Sequence, residues 1–197
     1  MAEDIQVMFI NSLNTEKTLL EQERILSDRD KALFDKLRKS IQSHKKKLDE
    51  YTNRLKNLRD KKPELEILLN RIKKVHNDEL EERGIFEQLE NTEKKKVEVD
   101  KALAGILNTE IRLVSYDFKT YKDEGNWIKL KEVIIKMRNY TNDKIRLWNE
   151  LADLYSRLKF YRNIFREYLL KIRKDLNTLA RDLKIEKTEL QELKAFT

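Results

Sequence analysis

The chain has 197 residues, of which 40% are charged and 39% hydrophobic, with three glycines, one proline and no cysteine. This composition is typical of proteins built from long exposed helices, and it excludes disulfides and thiolate metal sites. The 43 Lys and Arg outnumber the 36 Asp and Glu by seven, which is a mild basic excess. Because no apolar run approaches the ~18 residues of a membrane span and residues 1–13 do not resemble a secretory signal, we expect a cytoplasmic protein.

The first predicted helix covers residues 4–61. Its first three turns carry one apolar face, which we interpret as the start of the helix. The alternative is a short amphipathic segment that inserts into a membrane or a groove of a partner. That face consists of Ile5, Met8, Phe9 and Leu13. Further apolar positions along the helix are Leu19, Leu26 and Leu33, followed by a regular seam at Phe34, Leu37, Ile41, His44, Leu48, Tyr51, Leu55 and Leu58.

The second predicted helix covers residues 63–122. Pro63, followed by acidic residues, is typical of a helix start. Residues 77–84 are acidic and poorly patterned, and they end in Gly84, which is unfavourable inside a helix. We therefore predict a kink in this segment, with a loop as the alternative.

The third predicted helix covers residues 127–194, after an end signal at Gly125 and a capping residue at Asn126. Mostly apolar residues recur every 3.5 positions along it, which predicts lengthwise packing against other helices. The stripe is broad over residues 134–172, which favours a bundle of three or more helices, and narrow over residues 173–193, which favours a seam for a second chain. The candidate oligomer seam consists of Leu176, Leu179, Leu183, Leu190 and Leu193.

These three segments predict an all-α fold, an elongated antiparallel three-helix coiled-coil bundle that forms a single domain over residues 1–197. The short connection near residues 60–63 favours antiparallel neighbours. Charge favours the same arrangement, because residues 63–125 carry 11 Lys and Arg against 15 Asp and Glu, whereas both flanking segments are basic. An acidic helix attracts the two basic helices on either side of it.

The sequence shows no constellation that indicates catalysis. His44 falls in the apolar seam, where a packed histidine is expected, and His76 lies near Glu81 and Glu82, which we interpret as a solvated face. One histidine beside carboxylates is not a metal site, and three dispersed glycines exclude a phosphate-binding loop. We therefore expect a non-enzymatic protein with no cofactor, no metal and no small-molecule substrate.

Basic residues interleave with aromatic ones along the third helix and form a short run on the first. The run at residues 45–47 is either a solvated face or a patch that binds lipid headgroups or a nucleic-acid backbone. Most neighbouring aromatic residues of the third helix fall on the apolar stripe, which indicates core packing, and only Phe160 stands off it. The candidate anionic-surface patch consists of Lys45, Lys46, Lys47, Arg157, Lys159 and Arg166.

Three hypotheses of function follow. The first is a structural or scaffolding coiled-coil protein that forms a homodimer or assembles with a helical partner. The second is membrane binding, since three long helices with a kink and basic patches give a plan that is similar to that of BAR domains. The third and least favoured is nucleic-acid binding through the basic helices. Charged residues in the apolar seams indicate faces that await a partner, at Asp100, Lys144 and Arg162.

Overall fold

The computed structural model describes residues 2–58 and 65–195 for the backbone and residues 6–54 and 67–184 for the side chains, and within these ranges the backbone is helical except at the turn of residues 124–126. None of these residues is in a β-strand. The elements are α1 (Ala2–Leu58), α2 (Leu65–Arg112), a π-helical segment (Leu113–Phe118), α3 (Lys119–Asp123) and α4 (Trp127–Ala195). Because α2, the π-helical segment and α3 follow one another without a break, the described chain has three long helical stretches. The predicted all-α helical bundle is confirmed.

The end of α3 and the start of α4 are set by a Schellman motif. The Asn126 amide donates to the Tyr121 carbonyl at 2.9 Å, and the Gly125 amide donates to the Lys122 carbonyl at 3.1 Å. Gly125 has a φ of 65°, which a residue with a Cβ adopts only with strain. Asn126 then caps α4, because its side-chain oxygen accepts the Lys129 amide at 3.2 Å. The end signal and the cap predicted here are confirmed, whereas the turn predicted at 60–63, with its helix start at Pro63, lies outside the described residues.

Residues 77–84, where the sequence predicts a kink or a loop, are α-helical throughout. The loop alternative is therefore wrong, and the kink stays a prediction. The acidic residues of this segment are compatible with a helix because two of them have partners: Glu79 bonds Arg83 four residues later, and Glu82 contacts His44 of α1 at 3.3 Å.

The irregular segment of the second helical stretch lies further along, at residues 113–118. A π-helical turn holds one residue more than an α-helical turn. Here it brings the consecutive residues Leu113 and Val114 into the core together, with Phe118. Neither glycine nor proline occurs in this segment, so the sequence carries no conspicuous signal for it.

The contacts divide the chain into two compact units. The first unit comprises residues 1–32 and 91–158, and the second unit comprises residues 33–90 and 159–197. Each unit therefore contains a segment of α1, a segment of α2 and a segment of α4. The single domain predicted for residues 1–197 stays a prediction.

The core of the first unit is a cluster of aliphatic and aromatic side chains from all three helical stretches. Leu103 and Val114 are completely buried at its centre. Its buried members are Leu13, Leu20, Val99, Leu103, Leu107, Leu113, Val114, Phe118, Leu130, Val133, Met137, Leu147, Leu151 and Leu154. The segments of the first unit are thus held together mainly by apolar burial.

The second unit has an apolar cluster and a row of aromatic rings. The centroids of Phe34 and Phe86 are 6.0 Å apart, and those of Phe86 and Phe165 are 5.9 Å apart, so one ring from each helix joins the row. The buried apolar cluster consists of Leu48, Leu68, Ile72, Val75, Ile172, Leu176, Leu179 and Leu183.

Contacts in the first unit run in opposite order along α1 and the second helical stretch. Gln6 donates to the Val114 carbonyl at 3.3 Å, and Ser27 donates to Glu93 at 2.7 Å. As the residue number rises in α1, it falls in the partner stretch. This is the order that an antiparallel pair of helices gives.

Ahead of Phe34, several apolar residues of α1 face outward. Leu20 is only 8% exposed, whereas Leu19, Leu26 and Leu33 are 48%, 45% and 43% exposed. These three leucines continue the helix, as predicted, but they lie outside the apolar seam that begins at Phe34. Two partly buried carboxylates of α1 lie beside the inward positions, and lysines of α4 and α2 pair with them inside the first unit.

Candidate interaction surfaces

The leucines of the predicted oligomer seam lie in the interior of the second unit as far as side chains are described. Leu176, Leu179 and Leu183 belong to its buried cluster, which also contains side chains from α1 and α2. They pack within the chain and leave almost no apolar surface for a second chain. Leu190 and Leu193 lie outside the residues whose side chains are described.

The three lysines of the predicted patch on α1 are exposed but point to different sides of the helix. Successive helical residues are about 100° apart, so Lys45, Lys46 and Lys47 do not share a face. Lys45 lines a groove between α1 and α2, together with Arg83 and Glu90. The run therefore does not act as one concentrated patch.

The structure divides the α4 residues of the predicted patch into two groups. Arg157 belongs to the first unit and pairs with Asp153 at 2.8 Å. Lys159 and Arg166 belong to the second unit, are exposed, and share one side of α4 because they are seven residues apart. Arg173 continues the same spacing, so three cations follow one side of the helix.

One flank of α1 in the first unit carries no charge over about five helical turns. Met8, Leu19 and Leu26 on it are 69%, 48% and 45% exposed. An exposed apolar stripe in a chain that is 40% charged is typical of a surface that contacts another helix. At spacings of three and four residues, the flank consists of Met8, Ser12, Thr15, Leu19, Gln22 and Leu26.

A second flank with exposed apolar side chains runs along α4 in the first unit. Trp127, Ile134 and Ile145 on it are 71%, 53% and 56% exposed. The two exposed cations Lys131 and Arg138 stand at its beginning, and no charged residue follows them on this side before the end of the unit. The flank consists of Trp127, Ile134, Thr141, Ile145, Ala152 and Ser156.

Two polar contacts between α1 and α4 show that the two flanks lie on the same side of the first unit. The Lys144 ammonium lies 2.9 Å from the Glu16 carboxylate, and the Tyr155 hydroxyl donates to Glu23. Each glutamate precedes an exposed leucine of the α1 flank by three residues, and Lys144 directly precedes an exposed isoleucine of the α4 flank. Both flanks therefore border the same side of the first unit, and together we name them the α1–α4 surface.

The groove on the other side of α1 in the first unit is different in character. It lies between α1 and α2 and has a volume of about 500 Å³. Lys17, Glu21 and Arg24 line one wall, and Asp100 and Lys101 line the other. Both walls carry charges of both signs. An apolar helix that docked there would remove water from these charges without replacing its hydrogen bonds, so the α1–α4 surface is the better contact site.

A network of polar side chains lies inside the first unit around Lys96, which is completely buried. Its ammonium lies 3.5 Å from Glu93 and 3.9 Å from Glu23, and 4.9 Å from the centre of the Tyr155 ring. The Ser27 hydroxyl donates to Glu93 at 2.7 Å. The network explains why α1 carries polar residues at inward positions, since each of them has a partner on another helix.

The carboxylates near Lys96 are shifted towards their neutral forms. Burial raises the pKa of Glu23 and of Asp100, and this effect outweighs the attraction of Lys96, which lowers both. The Oδ1 atom of Asp100 is buried and has no hydrogen-bond partner in the structure. The ionised form of Asp100 is therefore incompletely satisfied inside the first unit.

The charged seam residues, which the sequence suggests as faces awaiting a partner, have interactions within the chain. Lys144 pairs with Glu16 at 2.9 Å and with Glu110 at 2.7 Å. Asp100 is half-buried in the electrostatic field of Lys96, and Arg162 also has an interaction within the described residues. None of the three serves as an indication of a missing partner.

The two histidines of the chain differ in environment. His44 is buried, and its Nδ1 lies 3.3 Å from Glu82, so the prediction of a packed histidine is confirmed. Glu81 is exposed, but Glu82 is completely buried, so the prediction of a solvated face is wrong for Glu82. Sequence reasoning missed it because its partner is distant in the chain. His76 is exposed.

Within the described residues, no group of three or more His, Cys, Asp or Glu could hold a metal ion. Among the helices in that part of the chain, none is long and apolar enough to cross a membrane. Comparison with protein families, curated proteins and solved structures found no match of any of the three kinds.

Proposed function

We propose that the protein is a non-enzymatic helical scaffold that forms a homodimer through the α1–α4 surface of its first unit. The observation that carries this proposal is the apolar character of that surface, which carries only two cations at the start of its α4 flank, in a chain with 40% charged residues. Exposed leucine and isoleucine side chains at heptad-related spacing are the features that helices bury against each other.

A second copy of the same surface is the occupant that charge favours. The first unit contains 18 Lys and Arg and 18 Asp and Glu, so two first units do not repel through net charge. Across most of their length, the flanks bring no like charges together when one surface meets another copy of itself. A nucleic acid or an anionic membrane would find no net positive charge on this unit.

The test is the mass of the protein in solution at tens of micromolar, measured by light scattering after size exclusion. The wild-type chain is expected at twice its monomer mass of 23.8 kDa. The variant L19E/L26E places two carboxylates on the surface and should weaken dimerisation by about 100-fold or more, because these charges would be buried without partners.

A matched control is A102E/T109E, which adds two carboxylates seven residues apart at exposed positions of α2 in the same unit. This control should remain dimeric, and circular dichroism should show unchanged helix content in both variants. A wild-type monomer at all concentrations, or a dimer that tolerates L19E/L26E, would rule the proposal out.

A further inference from the structure

The second unit carries all of the net positive charge of the chain. It contains 25 Lys and Arg and 18 Asp and Glu, whereas the first unit is neutral. Much of this charge lies on the outward side of α4, where five exposed cations form no ion pair with any described residue. They are Lys159, Arg166, Arg173, Lys174 and Arg181. Only one exposed carboxylate, Glu167, stands among them.

Two large apolar side chains lie on the same side of α4. Phe160 is 60% exposed and Leu170 is 56% exposed. By helical periodicity, these two residues and the five cations fall within one arc of about 140° around the helix. The arc extends over about 33 Å of helix length from Lys159 to Arg181. We name these seven residues the α4 basic face.

We propose that the α4 basic face binds the surface of an anionic lipid bilayer, with Phe160 and Leu170 entering the interface between headgroups and acyl chains. Each cation near an anionic membrane surface contributes favourably, and apolar side chains on the same helical face add a term that charge alone does not supply. The proposal is independent of the dimer, because all seven residues belong to the second unit of one chain.

The aliphatic residue on this face, Leu170, favours a membrane over a nucleic acid as the binding partner. A nucleic acid would also attract the five cations, and the Phe160 ring could stack on a base. Leu170 has no ring with which to stack, and it would remain exposed to water beside a phosphate backbone. In a bilayer both side chains find an apolar environment, so the whole face has a partner.

The experiment is sedimentation of the full chain with vesicles of phosphatidylcholine, with and without about 30% phosphatidylserine. Three variants are compared with the wild type: R166E/R173E reverses two cations of the face, F160S/L170S removes its apolar residues, and K73E/K74E is a matched control. Lys73 and Lys74 are exposed cations of α2 in the same unit.

The wild type and K73E/K74E should bind the anionic vesicles with similar affinity and should not bind pure phosphatidylcholine. R166E/R173E should lose about 30-fold or more in partition coefficient, and wild-type binding should weaken as salt rises. The partition coefficient of F160S/L170S on anionic vesicles should be at least several-fold lower than that of the wild type. If the wild type binds a single-stranded oligonucleotide, the same variant should lose less affinity for the oligonucleotide than for the vesicles.

Any of four outcomes would overturn the proposal. The first is that the wild type does not sediment with anionic vesicles. The second is that K73E/K74E loses as much affinity as R166E/R173E, which would reduce the effect to net charge. The third is that F160S/L170S binds vesicles as well as the wild type does. The fourth is that oligonucleotide binding is tighter than vesicle binding and depends on the same residues.

Discussion

At the scale of single residues, the interior of the first unit is organised by a buried lysine. Lys96 is completely buried, and the carboxylates of Glu23 and Glu93 lie within 4 Å of its ammonium. A buried cation is tolerated only with such partners, and its removal leaves their charges uncompensated. The two glutamates come from α1 and α2, so the network also fixes how these helices are aligned.

Replacing Lys96 with methionine should lower the free energy of unfolding by about 3 kcal/mol, since the two glutamates then lose their buried counter-charge. The measurement is urea unfolding followed by circular dichroism. The control is K95M, because Lys95 is the exposed neighbour and should change stability by no more than about 0.5 kcal/mol. Equal stability of K96M and the wild type would contradict the assignment of Lys96 to the interior.

Asp100 provides a pH-dependent test of the same network. Burial raises the pKa of Asp100 in the folded state, so the folded protein holds this proton more tightly than the unfolded chain does. Ionisation of Asp100 therefore opposes folding: the penalty is absent below the unfolded pKa of about 4 and grows until the pH exceeds the folded pKa.

The variant D100N should consequently be more stable than the wild type at pH 7, by about 1 kcal/mol or less because the side chain is only half-buried, and nearly equal to it at pH 4. Urea unfolding at both pH values measures the difference. A gain of the same size at pH 4 and at pH 7 would show that the charge of Asp100 is not its cause.

At the scale of elements, the turn between α3 and α4 depends on one backbone conformation. Gly125 has a φ of 65°, and the Schellman hydrogen bonds of this turn require that conformation. Gly105 lies within α2 at an exposed position, with no heavy atom within 4 Å of an added Cβ. The two glycines have opposite roles although the same residue type occupies both positions.

Substitution by alanine should separate the two roles. G125A should lower the free energy of unfolding by about 1 kcal/mol through strain, and G105A should raise it by about 0.5–1 kcal/mol through helix propensity. Thermal unfolding of both variants under the same conditions gives the comparison. If both changes act in the same direction, the left-handed conformation of Gly125 is not important for stability.

At the scale of the whole molecule, charge is divided between the two units. The first unit is neutral and carries the largely uncharged α1–α4 surface, whereas the second unit holds the net charge of +7 and the α4 basic face. The two proposed contacts therefore differ in their physical basis: dimerisation depends on apolar burial, and bilayer binding depends largely on charge. The dimer mass should accordingly be the same in dilute and in concentrated salt, while vesicle binding should not.

The candidate surfaces show where sequence reasoning reached its limit. The sequence identifies Lys159 and Arg166 as exposed cations, and heptad spacing alone groups them. It assigns Leu176 and its neighbours to a second chain, because an apolar stripe does not reveal whether its partner belongs to the same molecule. The structure answers that question by burying them against α1 and α2.

The sequence by itself determined the helical class and the boundary at Gly125 and Asn126, because periodicity, caps and turn conformations are local properties of the chain. Only the tertiary structure decided the register of α1. Leu19 and Leu20 are adjacent candidates for the inward position, and so are Leu26 and Ser27. The choice depends on whether a neighbouring carboxylate can be buried, and that requires Lys96 and Lys144, which the fold brings from distant parts of the chain.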